Sequence, residues 1–220
     1  SVLTNADLHV RAKFVGSIDI ADFFGSVTSQ AVTSLLGARG FRARESRLIS
    51  KLCCREGVLP QGAPTSPVLS NALLFRFDEA MANHAALTGL SYTRYADDIT
   101  ISGNSREIVV DALGRAREIL NHEYGLRLNE QKTRIASSGG QQRVTGIVVN
   151  ERPNPPRELR RRVRAMFYEA ARAPQLSLEM LNRLRGYVAY LKMVPGLADS
   201  RTIAAYRVQL EQMKSRPPSI

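Results

Sequence analysis

Three prolines within four residues divide this sequence into two parts that carry different hydrophobic patterns. They lie in the segment Pro153-Asn154-Pro155-Pro156. Before this segment, short apolar runs of strand length alternate with stretches of helical periodicity. After it, every pattern is helical, at about 156–172, 177–193 and 199–214. This change predicts an α+β domain over residues 1–152 and an all-helical domain over residues 153–220.

The first part contains a hairpin pattern that places two aspartates at its bend. Strand-like runs at 92–96 and 99–102 flank Asp97 and Asp98. An apolar strand at 14–20 carries Asp19 near its end. The other predicted elements are helices at about 28–37, 44–54, 66–86 and 106–124, and a strand at 142–150.

The chain carries a strong positive charge, which narrows the choice of partners. Lys and Arg number 31 against 20 Asp and Glu, which gives a net charge of +11. Such a domain is typical of proteins that bind nucleic acid, although a basic surface that only aids solubility is the alternative. The adjacent Cys53 and Cys54 cannot form spaced disulfide or zinc pairs, so we expect a reducing, cytoplasmic location. No apolar run approaches the length of a membrane span, so no membrane partner is expected.

The three aspartates lie where a negative charge is costly unless a cation compensates it. Two Mg²⁺ ions that bridge the carboxylates and a substrate triphosphate would provide this compensation. Because adjacent strand residues face opposite sides, we expect one of Asp97 and Asp98 to be the stronger ligand, and we favour Asp97. The alternative is a solvated hairpin turn, in which paired aspartates are common.

The segments around these aspartates resemble the motifs of reverse transcriptases. Tyr95-Ala96-Asp97-Asp98 is similar to the signature hairpin of that family, and Asp19-Ile20-Ala21-Asp22-Phe23-Phe24 is similar to its first catalytic motif. Between them, residues 59–67 resemble its substrate-binding loop. Asn5-Ala6-Asp7-Leu8-His9 and Val144-Thr145-Gly146 are similar to two elements of the retron type. On these motifs the chain is identified as a member of the bacterial retron-type reverse transcriptases.

This resemblance implies a fold and an activity. The fold is a reverse-transcriptase palm, with a ferredoxin-like antiparallel sheet and helices, followed by an all-helical thumb. The activity is RNA-directed DNA synthesis from deoxynucleoside triphosphates, with two Mg²⁺ ions or with Mn²⁺ in their place. The implied partners are a structured non-coding RNA that serves as template and primer, the RNA–DNA hybrid, and an effector protein in antiviral defence. In the family, fingers precede the segment at Asn5, so we expect this chain to be the palm and thumb portion of a longer enzyme.

The resemblance also assigns chemical roles to residues around the aspartates. Asp19, Asp97 and Asp98 would form the catalytic, metal-binding triad, and the backbone carbonyl of Ile20 would add a metal ligand. Lys132 resembles a lysine that assists the departing pyrophosphate, where a cation offsets the developing negative charge. The alternative for Lys132 is a solvated surface lysine.

A second group of residues would contact the nucleotide. These residues are Ile20, Ala21, Phe24, Gln61 and Gly62. The ring of Phe24 resembles the steric gate that excludes a ribose 2′-hydroxyl and so selects deoxynucleotides. Core packing is the alternative for Phe24 and the expected role of Phe23, and a simple turn is the alternative for Gln61 and Gly62. For His9 we expect a capping or core position.

The first helix of the predicted thumb is amphipathic and basic. Its apolar face is formed by Leu159, Val163, Met166, Phe167 and Ala170. The arginines that we expect to bind the RNA backbone are Arg157, Arg160, Arg161 and Arg164. The alternative is an ordinary solvated basic helix.

Two other functions are compatible with parts of this pattern. One is a group II intron-like or other bacterial reverse transcriptase, which would share the triad. The other is a non-catalytic RNA-binding module, which would keep the positive charge without the nucleotide chemistry.

Overall fold

The computed structural model describes residues 1–173 and 175–214, so Pro174 and residues 215–220 of the predicted thumb lie outside it. The helices are α1 (Val2–Asp7), α2 (Phe23–Ser26), α3 (Ser29–Ala38), α4 (Ala43–Cys53), α5 (Thr65–Leu73), α6 (Phe75–Thr88), α7 (Arg106–Tyr124), α8 (Arg157–Arg172), α9 (Leu178–Met193) and α10 (Arg201–Lys214). The strands are β1 (Phe14–Asp19), β2 (Ser91–Tyr95), β3 (Asp98–Gly103), β4 (Arg134–Ser137), β5 (Arg143–Val144) and β6 (Ile147–Val148). A 3₁₀ turn covers Glu130–Lys132.

Four strands form an antiparallel sheet in the order β2-β3-β1-β4. Side chains alternate between the two faces of a strand. One face carries apolar residues such as Ile18 and Ile99 and packs against α6 and α7. The opposite face carries Asp19 and Asp98, which lie opposite each other in neighbouring strands. The predicted α+β fold, with an antiparallel sheet followed by helices, is confirmed.

The predicted helix at 66–86 is wrong, because two helices occupy this segment. α5 ends at Leu73 and α6 begins at Phe75, with the fully buried Leu74 between them. Leu74 has φ −85° and ψ 6°, which departs from α-helical geometry and separates the two helices. α5 packs against α3, whereas α6 packs against β2 and α7. Helical periodicity continues across the bend, so the pattern alone does not reveal it.

The predicted strand at 142–150 is also wrong, because a short hairpin forms there. β5 and β6 pair through Thr145 and Gly146, whose φ angles are 46° and 83°. Two successive positive φ angles are typical of two-residue hairpin turns, and glycine adopts them without strain. The structure also contains α1, α2, β4 and the 3₁₀ turn, which are too short for periodicity to predict.

Three apolar clusters hold the described residues together. The first lies between the sheet and its helices, and the second lies among α8, α9 and α10. The third joins α1, β1 and the β5–β6 hairpin to Val194, which follows α9. The three helices after the proline segment are confirmed within two residues of their predicted starts, whereas the domain boundary at residues 152 and 153 stays a prediction. None of the helices in the described ranges is long and apolar enough to cross a membrane.

Candidate active site

Three acidic residues come together where β1 ends and β3 begins. Asp19 is the last residue of β1 and lies opposite Asp98, the first residue of β3. Asp97 lies in the preceding turn, and its carbonyl accepts a hydrogen bond from the N–H of Ile20 at 3.0 Å. Ala96 adopts a φ of 54°, which tightens this turn. The register of two strands and one tight turn therefore gather the three aspartates of the predicted triad.

Asp97 and Asp98 border different spaces, as the alternation of strand side chains predicts. Asp97 and Asp19 line a cleft of about 620 Å³. Asp98 and Asp19 line a smaller cavity of about 230 Å³. Asp19 thus borders both spaces, and the choice of Asp97 as the stronger metal ligand stays a prediction.

The negative charges of this cluster act on Asp98. Burial raises the pKa of Asp98, and the neighbouring carboxylates of Asp97 and Asp19 raise it further. The positive charges of Arg134 and Lys132 oppose this shift. An additional cation would stabilise the ionised form of the cluster, because opposite charges favour ionisation of a carboxyl group.

Lys132 provides a cation at one side of the cluster. Its Nζ donates to both carboxylate oxygens of Asp19, each at 3.0 Å, and this contact raises the pKa of Lys132. Lys132 also lines the larger cleft with Asp97. The side chain is 59% exposed, as the alternative of a solvated surface lysine expects, and it contacts Asp19 of the triad. Its role toward pyrophosphate stays a prediction.

The donor chemistry of the cluster suits a divalent cation. Within residues 1–173 and 175–214, no three His, Cys, Asp or Glu side chains form a ready-made metal site. The three carboxylates are nevertheless hard oxygen donors, which Mg²⁺ prefers. The repulsion at Asp98 and the ammonium group beside Asp19 both indicate a local demand for positive charge. Asp19, Asp97 and Asp98 are therefore the residues that would hold a metal ion.

The larger cleft contains three of the five residues that we expect to contact a nucleotide. Ile20, Phe24 and Gln61 line it beside the carboxylates. Phe23 is buried in the core, as predicted, and its ring centre lies 5.4 Å from that of Phe24. Both phenylalanines therefore line the cleft, and Phe24 also packs against the core that contains Phe23.

The other two residues of that group do not line the cleft in the described part of the chain. The N–H of Ala21 donates to the carbonyl of Arg127 at 2.8 Å, which fixes the backbone beyond β1. Gly62 follows Gln61 directly and adopts a φ of 90°, which glycine tolerates. Its conformation therefore sets the path of the loop that carries Gln61.

Arg94 is a residue of the site that the sequence patterns did not single out. Its guanidinium donates to both carboxylate oxygens of Asp78, at 2.8 and 2.5 Å. The same group donates to the carbonyl of Ala96 at 3.0 Å, and the hydroxyl of Tyr92 donates to Asp78 at 2.7 Å. Arg94 therefore ties the turn before the aspartates to α6. In the sequence, the position of this charged residue inside the strand-like run at 92–96 was the signal that could have identified it.

His9 lies in the core, which is one of the two positions expected for it. Its side chain is fully buried on the face of the sheet that carries the triad. Nδ1 is 2.7 Å from Oγ of Ser102, and Nε2 is 2.8 Å from Oγ1 of Thr93. Burial lowers the pKa of His9 from 6.5 to about 4, so the ring is neutral near pH 7. The imidazole therefore links both strands of the hairpin to the segment after α1.

The predicted RNA-binding arginines lie away from the triad and close to one another. Arg157, Arg160, Arg161 and Arg164 are exposed on α8 and line a separate cavity of about 450 Å³ among the thumb helices. Their contact with RNA stays a prediction.

The sequence and fold match one family of proteins. A family model described as reverse transcriptase (RNA-dependent DNA polymerase) matches residues 3–167. The retron Ec86 reverse transcriptase of Escherichia coli is 34% identical, over 99% of this chain and 67% of that protein. The retron Mx65 and Mx162 reverse transcriptases of Myxococcus xanthus are 39% and 36% identical, over 88% and 99% of this chain. The chain spans about half the length of those two relatives, 49% and 52%.

Solved structures of more distant proteins share the fold. A foamy viral protease-reverse transcriptase aligns with a TM-score of 0.59 and 18% identity, over 97% of this chain and 36% of that one. A telomerase from Candida tropicalis aligns with a TM-score of 0.52 and 10% identity, over 70% of this chain and 38% of that one. At these identities the likeness concerns the fold alone.

Proposed function

The chain belongs to the retron-type reverse transcriptases, and from this premise we propose that it forms the polymerising part of an RNA-directed DNA polymerase. The observation that carries the proposal is the gathering of Asp19, Asp97 and Asp98 beside a cleft large enough for a nucleotide. The retron relatives favour this function over that of a group II intron-like enzyme.

The triad residues have complementary roles in this proposal. The family uses divalent metal ions, and bound Mg²⁺, or Mn²⁺ in its place, would neutralise the charge that develops on the transferred phosphoryl group. Asp19, Asp97 and Asp98 would hold two such ions, with the Ile20 carbonyl as a further ligand. Lys132 would release Asp19 and meet the leaving pyrophosphate, because its Nζ already lies at the wall of the cleft.

The walls of the cleft would select and orient the deoxynucleoside triphosphate. Phe24 would act as the steric gate against a 2′-hydroxyl, since its ring is braced by the buried Phe23. Gln61 would contact the nucleotide, with Gly62 and Ala21 shaping the backbone beside it. The shape of the cleft wall would therefore select the deoxyribose sugar, and contacts with the wall would position the nucleotide.

The partners of the chain follow from its charge and its relatives. A net charge of +11 supports binding to a structured RNA template and primer and to the RNA–DNA hybrid product. We further propose a cytoplasmic enzyme that acts beside an effector protein in antiviral defence, as the resemblance to retron enzymes implies. The arginines of α8 would contribute to the grip on RNA.

Removal and return of metal ions test the proposed chemistry. The assay measures extension of a DNA primer on an RNA template by this chain, after dialysis against a chelator. We expect no extension until Mg²⁺ or Mn²⁺ is returned, because the carboxylate cluster needs a cation. Extension that persists in excess chelator would contradict the metal-dependent mechanism. RNA binding without extension under any metal condition would favour the binding module.

A further inference from the structure

A cavity among the thumb helices has an unusual lining. It has a volume of about 450 Å³ and lies between the start of α8, the end of α9 and the start of α10. Its basic residues are Arg157, Arg160, Arg161 and Arg164. Its other lining residues are Leu191, Leu197, Ser200, Thr202, Ile203 and Tyr206. Four positive charges thus surround a space that also has apolar walls and hydroxyl groups.

The four guanidinium groups are available to a ligand. None of them has an ion pair or side-chain hydrogen bond with another residue among those that the structure describes. The nearby Glu158 pairs instead with Arg143, at 2.9 Å. No acidic side chain of the described residues lines the cavity. Positive charges that lie close together without counterions favour an anionic ligand, because an anion bound among them would relieve their mutual repulsion.

The apolar wall of the cavity is rigid. Leu191, Ile203 and Tyr206 are buried members of the thumb core. The ring of Tyr206 stacks on that of Phe167 with centres 4.1 Å apart. Because core packing fixes these side chains, the cavity is formed before any ligand arrives.

We propose that this cavity seats one unpaired nucleotide of an RNA, with the base on the apolar wall and the phosphates among the arginines. This inference rests on the proposed function, since it deepens the contact between the thumb and RNA. Unpaired RNA bases are commonly splayed out and stacked on aromatic rings or arginine planes. The volume also lies within the range of pockets that hold small ligands.

A continuous duplex backbone fits the same residues less well. A duplex presents its phosphates along a convex surface, and such contacts need only a flat row of arginines. They would leave the apolar wall formed by Leu191 and Ile203 unoccupied. An extruded nucleotide uses both the charge and the apolar wall, so this ligand matches the whole lining.

The test compares two short RNA stems that differ by a single unpaired adenosine. Binding to the 220-residue chain is measured by fluorescence anisotropy at fixed salt and without deoxynucleotides, so it does not depend on polymerisation. We expect the bulged stem to bind about tenfold more tightly, which is the contribution of one stacked base. Thr202→Trp, which fills the cavity without removing charge, should abolish this preference. The matched Ala205→Trp, at an exposed position of α10 outside the lining, should retain it.

A second pair of variants separates the cavity from general charge. Arg161→Gln should weaken binding of the bulged stem more than Arg162→Gln, although both remove one positive charge from the same helix. Arg162 is outside the lining and contacts Tyr187. Equal effects of these two variants, or equal binding of the two stems, would overturn the proposal.

A third experiment measures competition between free adenosine monophosphate and the bulged stem. We expect it to compete only weakly with the bulged stem, because a single phosphate engages fewer of the arginines. Tight binding of adenosine monophosphate that Thr202→Trp abolishes, without any effect of the bulge, would assign the cavity to free nucleotides and overturn the RNA proposal. Primer extension by the unaltered chain is measured separately. Its absence would count against the proposed function, whereas the binding experiments count for or against this inference.

Discussion

The chemistry of single residues at the site depends on contacts between distant positions. The three aspartates follow from their local motifs, and the structure gathers them. The contact between Lys132 and Asp19 joins residues 113 positions apart, and that between Arg94 and Asp78 joins residues 16 positions apart. Such contacts depend on strand order and on how helices pack, so a motif can suggest the residue without its partner.

His9 gives a residue-level prediction for stability against pH. Its pKa in the folded chain is about 4, against an ordinary value of 6.5, so the unfolded chain binds the proton more readily. The free energy of unfolding is therefore at its full value above about pH 6.5, and it falls by roughly 3 kcal/mol as the pH drops to about 4. His9→Gln should remove this pH dependence, as measured by urea unfolding at several pH values.

The exposed His122 offers the matched control for this measurement. His122→Gln should leave the acid-induced loss of stability unchanged. An unaltered pH dependence in His9→Gln would show that the buried imidazole is not the group responsible.

Among the elements, the hairpin of β2 and β3 depends on its tie to α6. The sequence predicts this hairpin well, because alternation and the turn residues are local signals. It fails at the bend between α5 and α6, because the periodicity of 66–86 is unbroken while the two helices pack against different neighbours. It also fails at β5 and β6, where the two-residue strands are fixed by a turn and by α1.

Replacement of Arg94 gives an element-level prediction. Arg94→Leu leaves the carboxylate of Asp78 partly buried without its cation and frees the carbonyl of Ala96. We expect a loss of about 3 kcal/mol in the free energy of unfolding, measured by urea denaturation. Arg76→Leu, at an exposed position of α6, is the control and should change the stability little. Equal losses in the two variants would mean that the tie does not stabilise the hairpin.

At the scale of the whole molecule, separate clusters hold the sheet and the thumb helices, and a third cluster links them. Its members come from α1, β1, the β5–β6 hairpin and the residue Val194. Charge and periodicity predict a basic α+β chain with a helical end, because both are properties of long segments. They do not predict the third cluster, because each part of that cluster is short and lies far from the others in sequence. The thumb cavity arises in the same way, from three helices that meet in space.

Single-nucleotide extension of a DNA primer on an RNA template, with Mg²⁺ present, tests the polymerase directly. The unaltered chain is compared with Asp97→Asn and with Asp111→Asn, whose aspartate is exposed on α7 away from the triad. We expect extension by the unaltered chain and by Asp111→Asn, and a rate lower by on the order of a thousandfold in Asp97→Asn, because the triad holds the catalytic charge. Equal rates in the two variants, or no extension by the unaltered chain, would contradict catalysis by these three aspartates in this chain.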